Sequence, residues 1–184
     1  MRRVGWCGLI AAAVYLGSVT VQAAEEPGWT RVDSLYCTTW LHPDVAPRAV
    51  EKRISTFFLH GGRVRAGFSI EERLAEKCDV IFKAVERSLE MYPAGLRVTI
   101  KVYRSPREIA QVHTERYGFG ADADAFYVAE ENTIYTTVGS MSTSVLAHEM
   151  AHSVMSHYFT VRPPRKIEEF LAIHVDEHLG EEGP

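Results

Sequence analysis

Cysteine is scarce in this chain. Three occur in 184 residues, at positions 7, 37 and 78, so a small scaffold stapled by several disulfides is excluded. Basic side chains are outnumbered, 20 Lys and Arg against 24 Asp and Glu for a net charge of −4. That balance argues against nucleic acid or an anionic membrane surface as partner. There is no internal repeat, which excludes a solenoid or array, and no low-complexity tract or long charge block of the kind that marks a disordered tail.

The one long uncharged run lies at the N-terminus. Arg2 and Arg3 precede an uncharged stretch over 4–21 that ends in Val21-Gln22-Ala23, the layout of a secretory signal peptide cut after Ala23. Residues 1–23 are therefore expected to be removed and the protein exported to a periplasm or the medium. The competing expectation is an uncleaved membrane anchor, since the run has about the length of a short spanning helix. Without Arg2 and Arg3 the chain keeps 18 basic against 24 acidic residues, a net charge of −6. Residues 24–184 number 161, a size that fits one domain with a single core. Cys7 leaves with the signal peptide, and in an oxidising compartment Cys37 and Cys78 are expected to form a disulfide, with two separately buried thiols as the alternative.

Periodicity orders the rest. The segment 32–39 reads as extended, and 46–58 reads as a helix ended by His60-Gly61-Gly62. Over 69–91, Ile70, Leu74, Cys78, Ile81, Val85 and Leu89 recur at steps of three and four, with Ser69 and Glu72 forming a capping box and Pro93 and Gly95 as the stop. Residues 96–103 alternate apolar and polar, as a strand with one buried face does. Ser105-Pro106 opens a helix to Tyr117, and 125–129 and 133–138 form a hairpin. Two helices follow, one after the Ser/Thr stretch at 140–144 and one from Arg165 to Leu179. The expected fold is α+β, with a small, mostly antiparallel sheet packed by helices.

The first of those last helices contains "VLAHEMAHSVMSHYF", 145–159. Four-residue spacing stacks His148 and His152 on one face, where both imidazoles can reach one cation. Glu149 sits about 100° around the helix, so it flanks that cation and can take a proton from a bound water. Apolar Val145, Leu146, Ala147, Met150, Ala151, Val154 and Met155 surround the triplet, and buried ionisable groups need a partner or a metal. The pattern His-Glu-x-x-His is a zinc metallopeptidase signature. A catalytic zinc takes a third protein ligand; the metzincin continuation is excluded, because Met155 and Tyr158 stand where Gly and His would be required.

"AHEMAH", followed by a helix carrying Glu-Phe-Leu-Ala, resembles the gluzincin class of zinc metallopeptidases over roughly residues 124–179. That resemblance implies a zincin-like fold with the metal site between the two C-terminal helices. It implies Zn(II), one per chain, held by His148, His152 and Glu169, with Ala172 as the small residue that lets the helices approach. Glu168 stays a competitor to Glu169, because helical periodicity places it beside Ala172, Val175 and Leu179. The segment "TIYTT", 133–137, resembles the edge strand along which such enzymes align a peptide. Asp176 is a candidate to orient a ligand histidine. Tyr158, Tyr135 and His178 are candidates to steady an oxyanion, while His157, His174 and His178 also read as charges at helix C-termini.

The implied activity is hydrolysis of peptide bonds by a metal-activated water, with Glu149 as general base and a peptide or protein as substrate. After signal cleavage no membrane contact is expected. The alternative is a zincin-fold binding or assembly module with little or no hydrolysis, because the chain runs only 15 residues past Glu169, and the subdomain forming one cleft wall in many members is expected to be absent. A closed structural metal site is disfavoured, since such sites prefer cysteine ligands and none lies nearby.

Overall fold

The computed structural model describes residues 27–59, 67–118 and 125–179. The expected signal peptide and the helix stop expected at His60-Gly61-Gly62 lie outside these residues. Among the described residues, no helix is long and apolar enough to cross a membrane.

Five strands form one sheet: β1 (Thr30–Asp33), β2 (Cys37–Leu41), β3 (Val98–Tyr103), β4 (Ala125–Val128) and β5 (Thr133–Thr137), in the order β1-β2-β3-β5-β4. The sheet is mixed: β1 with β2 and β4 with β5 pair antiparallel, whereas β2 with β3 and β3 with β5 pair parallel. The expectation of a mostly antiparallel sheet is thus corrected. The chain returns from β2 to β3 through two helices and from β3 to β5 through a third helix and the edge strand β4, and each return brings a strand back in the same direction. The extended segment 32–39 is in fact two strands. They turn over Asp79, whose carboxylate accepts from Ser34 Oγ at 2.7 Å, Leu35 N–H at 3.0 Å and Tyr36 N–H at 2.9 Å.

Helix α1 (Pro47–Glu51) is much shorter than the expected 46–58. Lys77 Nζ takes the Glu51 and Ile54 carbonyls, each at 2.8 Å, and a carbonyl bent toward a side-chain ammonium leaves the helical ladder. Helix α2 (Ile70–Leu89) agrees closely with its periodic stripe: Ser69 Oγ accepts from Glu72 N–H at 3.1 Å, and Glu72 Oε2 accepts from Ser69 N–H at 2.7 Å. Its apolar face joins alternate residues of β3 and β5, including Ile100 and Ile134, in the main core. Cys37 on β2 and Cys78 on α2 are both buried and free, so the expected disulfide is not present. The thiols are neighbours: burial first, then a hydrogen bond to Cys78, pushes the Cys37 thiol well up.

Helix α3 (Pro106–Tyr117) covers the opposite face of the sheet, where Ile109 packs with Tyr103, Val128 and Tyr135. Gly118 ends it at φ 76°, a left-handed conformation that suits glycine. Arg116 ties α3 down by donating to Tyr135 Oη at 2.6 Å and pairing with Glu131, while Tyr135 Oη donates to Glu131 Oε2 at 2.6 Å. Helices α4 (Thr143–Tyr158) and α5 (Arg165–His178) close the main core and pack on each other. Ser142 caps α4 by accepting from Val145 N–H at 3.1 Å.

All five residues of β5 are buried, because the strand has a neighbour on either side and is covered on both faces. The segment resembling a substrate-aligning edge is therefore interior. The edge beside α4 is β4.

Replacing Asp79 with Ala should leave the Ser34 hydroxyl and two backbone N–H groups without their acceptor. A loss of about 2 kcal/mol is expected, chiefly from the half-buried Ser34 and Tyr36 donors, read as a lower urea midpoint at unchanged slope; a shift below about 0.5 kcal/mol would show that water replaces the carboxylate without cost.

Candidate metal centre

The centre forms where α4 crosses α5. Four-residue spacing on α4 places the His148 and His152 rings 5.1 Å apart between centroids, and Glu169 on α5 meets both. Glu169 Oε2 lies 3.6 Å from His148 Nε2 and 3.7 Å from His152 Nε2. One donor atom from each of the three residues lies within 4.8 Å of the others. Bonds of about 2.0–2.1 Å around a tetrahedral zinc put ligand atoms about 3.3–3.4 Å apart. The two separations from Glu169 exceed that by a few tenths of an ångström, and two nitrogens with one carboxylate oxygen are the donor set of a three-ligand zinc site, so the residues fit the metal. Ala172, three positions after Glu169, is fully buried.

Glu168 lines the cleft over the same centre but is committed to another partner. It is buried and accepts from Arg162 Nε at 2.6 Å, so its charge is already matched by a guanidinium. The ambiguity that periodicity left between the two glutamates is resolved by this pairing as far as placement goes: only Glu169 meets the histidines. Arg165, one turn before Glu169 and mostly exposed, brings its Nε to 3.6 Å from the other carboxylate oxygen, Oε1.

Glu149 is 8% exposed and its carboxyl is pushed up to about 7, mainly by burial and then by the negative charge of Glu169; a hydrogen bond from the Tyr127 backbone N–H opposes the rise. Burial also pulls the His152 imidazole down, which favours the neutral form that a metal ligand requires. The edge strand is fastened to α4 by polar side chains. Tyr127 Oη donates to Asn132 Oδ1 at 3.1 Å and lies 2.8 Å from Ser156 Oγ, and Ser153 Oγ donates to the same Asn132 oxygen at 2.7 Å. Asn132 sits in the turn between β4 and β5 at φ 47°, a left-handed conformation that asparagine tolerates.

A cleft of about 750 Å³ opens over the centre. Glu149, His148, His152 and Glu169 line one side, β4 contributes Ala125, Phe126 and Tyr127, and α3 contributes His113 and Tyr117 to the other side. The sequence reading missed α3 as a wall; its signal was the four-residue spacing of His113 and Tyr117, which places both on one helical face. It also missed Arg162 and Arg165, which line the α5 side.

Other expectations are redirected. Asp176 bonds the Ser144 hydroxyl at the start of α4, not a ligand histidine. Tyr158, Tyr135 and His178 are not among the residues that line the cleft. Tyr135 is committed to Arg116 and Glu131, and Tyr158 is exposed at the end of α4. His178 Nδ1 lies 2.9 Å from the His174 carbonyl and His157 Nδ1 lies 2.9 Å from that of Ser153, in keeping with their reading as helix C-terminal groups.

The raised Glu149 carboxyl carries a stability signature in the metal-free chain. An unfolded glutamate titrates near 4.5, the folded one at about 7, so between these values the folded state holds the extra proton. Its contribution is full below pH 4.5 and is lost as pH rises through 7, up to about 3 kcal/mol. Urea midpoints at pH 5 and pH 8 should fall less in Glu149→Gln than in the wild type, and equal falls would remove the assignment. Compared with protein-family models, with curated proteins and with solved structures, the chain matches none.

Proposed function

We propose that this chain is an exported, zincin-like zinc peptidase of the gluzincin type. The observation that carries the reading is the convergence of His148, His152 and Glu169 beside the buried Glu149, at the floor of a cleft bordered by a strand edge. His148, His152 and Glu169 would hold one Zn(II), a Lewis acid that makes water acidic and polarises a carbonyl oxygen.

The chain's own residues supply the remaining chemistry. Glu149 takes a proton from the attacking water and delivers it to the leaving amine, the work of a general base that later acts as an acid. The Tyr127 N–H orients that carboxylate from the strand side. Antiparallel strands turn alternate backbone amides outward. Among the described residues no strand pairs with the outer edge of β4, so the outward groups of Ala125 and the Tyr127 carbonyl are placed to hydrogen-bond an extended peptide across the centre, the Tyr127 N–H being taken by Glu149. Arg162 holds Glu168 away from the ligand set by neutralising it within the fold.

Metal analysis of the purified chain should find about one zinc per chain, lost in His148→Ala and His152→Ala and much weakened in Glu169→Ala. Glu168→Ala should keep the zinc; the reverse result would transfer the ligand role to Glu168. Glu149→Gln should keep both zinc and fold while cleavage of a mixed peptide library falls at least about 100-fold. Cleavage at the wild-type rate would overturn the role of Glu149. A zinc-loaded wild type that cleaves nothing would favour a binding or assembly module instead.

A further inference from the structure

The two sides of β4 present different chemistry to the same cleft. Side chains alternate along a strand: Tyr127 turns toward α4, where its phenol meets Ser156, while Phe126 turns to the α3 face and stacks on Tyr135 at 5.1 Å and 15°. The His113 ring meets Phe126 edge-on at 5.2 Å and 87°, and the Tyr117 ring lies 4.6 Å from His113. All three rings line the cleft that also holds the metal triad, and Tyr117 remains 45% exposed there.

These rings are held in place from behind. Arg116, between His113 and Tyr117 on α3, is clamped to Tyr135 and Glu131, so the helix cannot slide along the sheet without breaking a partly buried polar network. A rigid aromatic surface beside a strand edge suits a large planar side chain, which keeps the ring contacts that a small or charged one forgoes.

We propose that His113, Tyr117 and Phe126 form a specificity subsite. It takes an aromatic side chain from an extended peptide laid along β4, at a position pointing to the α3 side and so adjacent in sequence to a residue facing Glu149. The proposal rests on the peptidase reading for its substrate, but the subsite itself needs no metal.

Capped hexapeptides with Phe, Ala or Glu scanned through each position can be titrated by calorimetry into Glu149→Gln, with and without zinc, and into the same protein carrying Tyr117→Ala or Tyr117→Phe. At one position the Phe peptide should bind about five- to tenfold more tightly than the Ala peptide, a ratio set by the worth of a pair of ring contacts. That preference should vanish in Tyr117→Ala and survive in Tyr117→Phe, with thermal unfolding unchanged in both. Binding without preference for Phe, or a preference untouched by Tyr117→Ala, would overturn the subsite while leaving the peptidase reading in place. If no peptide binds the folded chain with or without zinc, both are overturned.

Discussion

Helix α4 combines two demands that ordinarily conflict. It is a core helix, with Leu146, Ala147, Met150, Ala151, Val154 and Met155 at most 1% exposed, and it carries two imidazoles and a carboxylate in the same stretch. Burying such groups costs several kcal/mol each unless a charge or hydrogen bond compensates. Part of the compensation comes from α5, whose Glu169 approaches both histidines. That approach creates a second conflict, because Glu169 also repels Glu149 and raises its carboxyl. His148, His152 and Glu169 bring two imidazoles and a carboxylate to one point, a donor set that could hold a metal ion.

Most of the surrounding structure holds this point in place. The Tyr127, Asn132, Ser153 and Ser156 cluster fixes β4 against α4, so that one backbone N–H of the strand reaches Glu149. Buried Glu168 pairs with the half-exposed Arg162 at the start of α5, and without that guanidinium the helix would carry an uncompensated buried carboxylate. On the far side of the sheet, Tyr135 uses its ring to support Phe126 and its hydroxyl to hold Arg116 of α3. A single interior strand thus links α4 to the opposite cleft wall.

Much of the local structure is determined by the sequence itself. The stripe of α2 with its capping box, the Pro106 start of α3, the turn between β4 and β5 and the Ser142 cap of α4 rest on interactions within a few residues, which a linear reading contains. The His148 and His152 pairing belongs to the same class, since one helical turn sets it. The early end of α1 does not, because it depends on Lys77, 26 residues away from Glu51.

What only the tertiary structure decided lies between elements distant along the chain. Residues 168 and 169 are both compatible with the periodicity of α5, and the choice falls to Glu169 because Arg162 occupies Glu168 and α4 lies against the other side. β5 has the composition of an exposed edge, with Thr at three of its five positions, yet crossover connections place it inside the sheet and give the edge to β4. The second wall of the cleft comes from α3, upstream of α4, because α3 covers the opposite face of the sheet and its C-terminal end lines the cleft beside β4. Sequence spacing encodes which side chains share a face of one element; which faces meet is set by the topology of strands and crossovers, whose contacts span tens of residues.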